Sequence, residues 1–514
     1  MKKSALLFCS SMLGFASYAQ VTWSEDIADI VYENCTMCHR SGGIGPFSLL
    51  TYEDASSNGW GIDDAVLTGY MPPWFADVEY QHYTEERILE PNEIAALVEW
   101  VNNGFPQGDP ETAPPPPAYP EDGFVGLPPD LEVQIPTYAS QATPWADDYV
   151  CFSIPLELTQ TKKLRGFEVI PGNAQIVHHA LLYIDESGTY PTDTNGLCVG
   201  PTDGLIGGYT PGALPTVFPS NGQDINMGVT IPAGSNLVLA MHYPEGSAGE
   251  VDDTRVRLFF YDDATPIREV QTDPIIQNWS FSLPANNVTD VSATFNLIPL
   301  DFSLLSVFPH MHLLGKNITS YAVSPQQDTI PLVHIPHWDF EWQQFYFFQN
   351  IQVIPAWSTI YGEGSFDNTA SNPHNPNDPP IMVTAGLNTT DEMFLVYFHY
   401  LPYEEGDELL DLNEMTTLPM NVGEHHVPGT LVQVLPNPFE EEVQFEIQRR
   451  TPGNVSLYIY SMNGALVERV VRNQPIGSGS TVISWKPESH LPNGNYLYSI
   501  AIDGDFSSGI IVRK

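Results

Sequence analysis

The sequence predicts a multidomain protein: a small all-α domain, two all-β jelly-roll or sandwich domains, and a small C-terminal β-sandwich. Three observations predict it. The chain has 514 residues, too many for one core. Apolar residues recur at helical spacing only within 20–110. Residues 121–402 instead carry short runs rich in Val, Ile, Phe, Tyr and Thr, separated by Pro, Gly, Asn and Asp clusters. The 46 Pro and 39 Gly also fit loop-rich β modules better than helical ones. A formal net charge of −45 argues against nucleic acid and anionic membrane surfaces as partners, and a solvated surface suited to a salty medium accounts for it.

Residues 1–19 read as a secretory signal. Lys2 and Lys3 form the basic start, Ala5 to Phe15 the apolar run, and Ser17-Tyr18-Ala19 a small-residue cleavage site, so the mature chain begins at Gln20. Cys9 is lost with it. No other stretch of about 18 apolar residues is present.

Residues 20–110 form the helical domain. Asp26 to Asn34 opens amphipathically, and Glu93 to Val101 is a second helix stopped by Asn102-Asn103-Gly104. Between them lies Cys35-Thr36-Met37-Cys38-His39. C-x-x-C-H is the attachment signature of c-type haem: two thiols bond the porphyrin and the histidine becomes an axial iron ligand. A redox or zinc CxxC is the bland alternative. Met71, in Gly69-Tyr70-Met71-Pro72-Pro73-Trp74, is the candidate sixth ligand, with His82 its rival. With Gly45-Pro46-Phe47 and the Met-Pro-Pro-Trp loop, the span resembles a small class I cytochrome c domain, which implies one covalently bound haem c. Residues 111–135 are a Pro-rich linker. Its run from Asp109 to Pro120 is expected to act as a semi-rigid spacer.

The β region, 136–402, is expected to divide into domains at 136–265 and 266–402. Its chemistry centres on Pro309-His310-Met311-His312-Leu313-Leu314-Gly315. On a strand, alternate side chains share a face, so His310 and His312 point the same way and can grip one transition-metal ion. Two histidines that bind nothing are the bland alternative. The candidate third ligand is Met393, whose soft thioether favours Cu(I). A second set comprises His178-His179 and His242. Adjacent histidines diverge on a regular strand, so they need a bend or bulge to share an ion. Cys151 and Cys198, in an exported chain, read as one disulfide.

The order Cys151, His178-His179, Cys198, His242, His310-x-His312, Met393 resembles the copper type II, ascorbate-dependent monooxygenases over roughly 136–402. That family includes peptidylglycine α-hydroxylating monooxygenase and dopamine β-monooxygenase. The resemblance implies two copper ions on two β domains facing each other across a cleft. His178, His179 and His242 would hold the electron-transfer copper. His310, His312 and Met393 would hold the copper that binds dioxygen and would be catalytic. Cys151 and Cys198 match a family disulfide. The implied partners are O2, a small organic substrate, and an ascorbate-like reductant or a periplasmic or surface redox protein. The implied reaction is hydroxylation of a C–H bond, the second oxygen atom leaving as water.

Two departures bear on the substrate. Where the peptide-hydroxylating member has an arginine two residues before HxH, this chain has Phe308. Tyr397 matches a family tyrosine, but Leu395, on the same strand face, stands where the peptide enzyme has an amide. Tyr397 is therefore a substrate-pocket candidate, and the expected substrate is smaller or more apolar than a peptide C-terminus. A tethered cytochrome would raise the local donor concentration to about the millimolar range, and the expected electron path runs from haem to the His178/His179/His242 copper.

Residues 403–430 read as an acidic linker, with His425-His426 solvated. Residues 431–514 carry 7 Lys/Arg against 8 Asp/Glu, near neutral where the rest is strongly acidic. Leu435-Pro436-Asn437-Pro438-Phe439, Tyr458-Ile459-Tyr460-Ser461-Met462-Asn463-Gly464 and the final Gly509-Ile510-Ile511-Val512 run resemble the C-terminal sorting domain of the type IX secretion system. This implies export to the cell surface or medium by that machinery. A carbohydrate-binding or fibronectin-like module is the bland alternative. The competing reading of the whole chain is a non-catalytic exported haem and copper protein for electron transfer or copper binding.

Overall fold

The structure, a computed structural model, describes residues 20–514 except 42, 118, 120–128, 145, 199, 297–298, 417–429, 440, 450–451, 462–465, 488–490 and 503–504. The expected signal, Cys9 and His425-His426 lie outside the described residues. The chain is mostly β, with 43% strand and 11% helix, as β-sandwich copper domains require.

The N-terminal unit is helical. A π-turn, Trp23–Ile27, runs into Ala28–Asn34, followed by Tyr52–Ser57, Gly59–Leu67 and Pro91–Asn102. Local chemistry sets the last helix: Pro91 sits at its start, Glu93 reaches back to the Glu90 amide at 2.7 Å, and Gly104 turns the chain out at φ +77°. Its inner face buries Leu97, Trp100 and Val101 against Ile27 and Val31.

The first sandwich has a four-stranded sheet in the order Asp148–Pro155, Asn236–Tyr243, His179–Asp185, Leu205–Tyr209. It faces a sheet in the order Leu131–Gln134, Arg255–Phe260, Lys162–Ile170, Met227–Ile231, Arg268–Glu269. Cys151 and Cys198 form the disulfide. The second sandwich packs Gln271–Gln277, Leu395–Pro402, Phe302–His310 and Tyr346–Ile354 against Asn287–Phe295, Thr359–Asn368, Gly315–Val323 and Thr329–Ile335. Seven further strands, Thr430–Leu435 to Asp505–Arg513, make a separate sandwich with its own core around Phe445, Ile459, Trp485 and Ile500.

Four segments differ from expectation. Leu131–Gln134, expected in the linker, pairs with Arg255–Leu258, and Arg268–Glu269 pairs with Met227–Gly228, so the first sandwich runs from 131 to 269. The Pro-rich run is a strap, not a spacer. Pro114 and Pro115 are buried, Tyr119 Oη lies 2.7 Å from Thr36 Oγ1, and the Arg40 guanidinium covers the Tyr119 ring at 4.6 Å. Proline rings are apolar and bring no amide to satisfy, so they pack as readily as they extend. Residues 403–416 are not an unpatterned linker either. Asp407 accepts from Arg268 Nη1 at 2.6 Å and Ser303 Oγ at 2.6 Å, and Leu412 and Met415 join the first core.

The helical unit is anchored on the second sandwich. Tyr83 and Ala76 belong to that sandwich's core, and Tyr83 Oη donates to the Leu332 carbonyl at 2.8 Å. The Asp77 amide donates to His334 O, and the Thr84 amide to Phe347 O, each at 2.8 Å. The segment thus covers the edge strand Tyr346–Ile354, whose free amides and carbonyls would otherwise face solvent.

Tyr83→Ala should cost on the order of 3–5 kcal/mol, as expected for deletion of a large buried ring. Urea unfolding should report the loss, together with faster proteolysis between residues 68 and 90.

Candidate metal centres

His242 lies near the end of a strand buried along its whole length, directly opposite His179 on the neighbouring strand. His178 precedes that strand. A turn in which the Ile176 and Val177 amides both donate to Asn173 O re-aims it, and its own amide donates to His242 O at 3.0 Å. This supplies the bend that adjacent ligands require. The Nδ1 atoms of His178 and His242 lie 3.2 Å and 3.3 Å from His179 Nδ1, and the three donor atoms fall within 4.8 Å of one another.

The outward nitrogens meet carboxylates. His178 Nε2 is 3.3 Å from Glu341 Oε2, and His242 Nε2 is 3.4 Å from Asp147 Oδ2. Both are close contacts without hydrogen-bond alignment. Burial opposes ionisation of Asp147, yet His242, Thr389 and the Glu245 amide together hold its carboxyl down at about 2. Burial pulls His242 down to about 4 and lowers His179 further. Three imidazoles with a ring nitrogen each turned to one point fit a transition-metal ion, and the carboxylates behind His178 and His242 favour that ring orientation.

The second set stands on the other sandwich. His310 ends the strand Phe302–His310 and pairs with Leu395, two residues past Met393. Met311 is fully buried in the second core, so the flanking histidines face the opposite way. His310 Nδ1 lies 2.6 Å from Gln343 Oε1, and His312 Nδ1 lies 3.1 Å from Asp391 O. Those oxygens can only accept, so each Nδ1 carries the proton and each Nε2 keeps its lone pair. Burial lowers His310 to about 4 and His312 to about 3.

His310, His312 and Met393 line one cavity of about 450 Å³ with His179, Phe308, Phe345, Leu395 and Tyr397. The cavity lies at the seam of the two sandwiches. Tyr397 faces Phe308 at 5.8 Å, and Phe345 stacks on Phe308 at 4.7 Å, so the wall beside the ligands is aromatic and apolar.

Glu392 pins the HxH segment. Its carboxylate accepts from the His312 amide at 2.9 Å and the Leu314 amide at 2.6 Å. Trp338 Nε1 donates to His312 O at 3.2 Å, and a Cβ at Gly315 would fall 2.5 Å from that indole, so glycine is required there.

On the helical unit, Cys35 and Cys38 are unbridged, and burial pushes the Cys35 thiol up to about 12. Cys38, His39, Gly45 and Met71 line one wall of a cavity of about 1980 Å³, and His178, His242, Glu341 and Trp342 line another. His39 Nδ1 lies 3.2 Å from Phe47 O, which leaves Nε2 as the free lone pair. His82 is turned outward against Glu86 at 3.2 Å and does not line this cavity, so of the two sixth-ligand candidates only Met71 does.

Sequence reasoning missed Asp147, Glu341, Gln343 and Glu392. Asp147 and Glu392 adjoin recognised motifs, whereas Glu341 and Gln343 carry no local signal.

Residues 292–413 match the family described as copper type II ascorbate-dependent monooxygenase, C-terminal domain. The matched span holds His310, His312, Met393 and Tyr397. It supports copper as the metal and a monooxygenase-like oxidoreductase, in a family that uses O2, a substrate and an ascorbate reductant. No curated protein matches. Among solved structures, the chain is similar to dimeric latent PorU from Porphyromonas gingivalis at 11% identity, over 72% of this chain and 34% of that one, with a TM-score of 0.15. It therefore spans about a third of PorU's length. Infectious bursal disease virus supplies two more likenesses. The VP2 subviral particle matches at 10% identity over 57% and 87% of the two chains, TM-score 0.13. The Gt strain matches at 13% over 56% and 87%, TM-score 0.14. Likenesses this slight carry no argument about fold or function.

Burial pushes the Glu392 carboxyl up to about 8, against the amides that favour its charge. An acid whose folded pKa is raised binds more protons folded than unfolded, so stability falls as pH rises from about 4.5 to 8. The buried histidines act in the opposite sense up to their unfolded pKa near 6.5. Metal-free protein should therefore lose urea resistance above about pH 6.5 and up to about pH 8, and Glu392→Gln should flatten that loss.

Proposed function

We propose that the chain is an exported copper monooxygenase that hydroxylates a C–H bond of a small apolar organic substrate with O2. In this reading electrons arrive through a c-type haem on its own helical unit. The observation that carries it is the shared cavities. One joins His310, His312, Met393 and Tyr397 to His179, and the other joins His39 and Met71 to His178 and His242.

The copper ions would supply the electrons and the oxygen chemistry. His178, His179 and His242 form an all-imidazole set suited to both copper oxidation states. His310, His312 and Met393 form a softer set suited to Cu(I). Phe308, Phe345, Leu395 and Tyr397 would hold the substrate and exclude water from the second set. The haem would be bonded through Cys35 and Cys38, with His39 and Met71 as axial ligands, a pairing that raises the reduction potential. Both thiols are free, His39 Nε2 has its lone pair available, and the adjoining cavity has room for the porphyrin.

Export through the type IX machinery is supported by the signal-like start and the separate C-terminal sandwich. In that role residues 431–514 do no chemistry.

Purified mature protein should carry two coppers and one low-spin haem per chain. Met393→Ile should keep the haem but lose oxygen-dependent reoxidation. One copper or none on the reconstituted wild type would leave an electron-transfer protein instead. A Cys35→Ala/Cys38→Ala variant should lose turnover supported by an external redox-protein donor. Full turnover would remove the haem from the electron path.

A further inference from the structure

Four consecutive residues, Phe340 to Gln343, touch both metal-ligand sets and the wide cavity. They lie in the loop between Thr329–Ile335 and Tyr346–Ile354. The Phe340 ring stacks on His178 at 5.1 Å and 22°, and meets His312 edge-on at 5.9 Å and 82°. Glu341 Oε2 lies 3.3 Å from His178 Nε2. Gln343 accepts from His310 Nδ1 at 2.6 Å and donates to Phe340 O at 2.8 Å. Trp342 faces the wide cavity, near Cys38: a Cβ at Gly212 would lie 4.0 Å from the indole and 3.5 Å from the Cys38 sulfur.

Neither sandwich core includes Phe340, yet only 9% of it is exposed. A large apolar ring is thus buried between one histidine of each set. A ring stacked on one imidazole and edge-on to the other fixes the separation of the two by close packing. Gln343 ties its backbone to the second set, and Glu341 ties the same turn to the first.

We propose that Phe340 is the spacer and electron path between the two copper sites, with Glu341 and Gln343 as positioning residues that lock one histidine of each site against it. The proposal rests on the two-copper reading above. With copper bound, an electron given up at His178–His179–His242, taking Cu(I) to Cu(II), would be taken up at His310–His312–Met393, taking Cu(II) to Cu(I). No substrate or water is needed as a bridge.

The test uses the full chain loaded with Cu(II). Pulsed dipolar EPR reads the copper–copper separation. Freeze-quench EPR after one-electron reduction follows migration between the two distinguishable cupric signals. Phe340→Leu should keep two coppers, broaden the separation and slow migration at least tenfold, while Phe340→Tyr, which keeps the ring, should restore both. Gln343→Ala, which keeps the ring but frees both His310 Nδ1 and the Phe340 carbonyl, should also broaden the separation. Unchanged separation and migration in Phe340→Leu would overturn the proposal. Fewer than two coppers on the wild type would overturn the two-copper reading and the spacer with it.

Discussion

Each imidazole has two nitrogens, and only one can face a metal. The structure depends on what the other one does. In the first set the Nδ1 atoms converge, and the Nε2 atoms of His178 and His242 turn to Glu341 and Asp147. In the second set, and at His39, the pattern is reversed: Nδ1 is spent on Gln343, Asp391 O or Phe47 O, and Nε2 stays free. Burial lowers His39, His179, His242, His310 and His312, which favours the neutral imidazole that ligates a metal. The surrounding fold is largely a device for delivering those outer partners.

Many of the partners cross the seam between sandwiches. Glu341 belongs to the second sandwich but serves His178 of the first. Tyr149, whose ring lies on His242 at 4.3 Å, shares a hydrogen with Thr389 at 2.6 Å, four residues before Met393. His399 shows the same logic without ligating anything. Its Nδ1 meets Ser306 Oγ at 2.7 Å and its Nε2 meets Ile206 O at 3.2 Å, so both nitrogens are used and it joins the halves. Arg268 with Asp407 closes the far end. Each ligand set stands within one sandwich, but the first leans on Glu341 and Thr389 of the second, so its surroundings and the domain interface stabilise one another.

Local features of the fold and site were legible in the sequence because they follow backbone period. Alternation put His310 and His312 on one face, and Met311 indeed lies in the core behind them. The need for a bend at His178-His179 was legible, and Pro171-Gly172-Asn173 marks a turn nearby, but nothing local says that the Asn173 carbonyl takes the Ile176 and Val177 amides and so re-aims His178. Glu341 and Gln343 lie about 30 residues from HxH and over 160 from His178, and nothing in local pattern links such positions. The Pro-rich and acidic stretches misled for a related reason. Their composition describes an average preference for solvent, whereas Tyr119 on Arg40 and Asp407 on Arg268 are specific long-range pairings.

That correction changes the logic of electron supply. A flexible tether confers an effective concentration, and transfer then waits on encounters. Here Tyr83 and Ala76 are part of the second sandwich's core, and the Pro-rich strap lies on the helical unit itself. His39 and Met71 consequently share a cavity wall system with His178 and His242 without any encounter. Under the proposed function, a fixed geometry of this kind would remove the entropic cost of docking at each transfer. On that proposal the helical unit's own stability would also be a condition of function, because loosening the Tyr83 anchor would open the cavity and expose the first ligand set together.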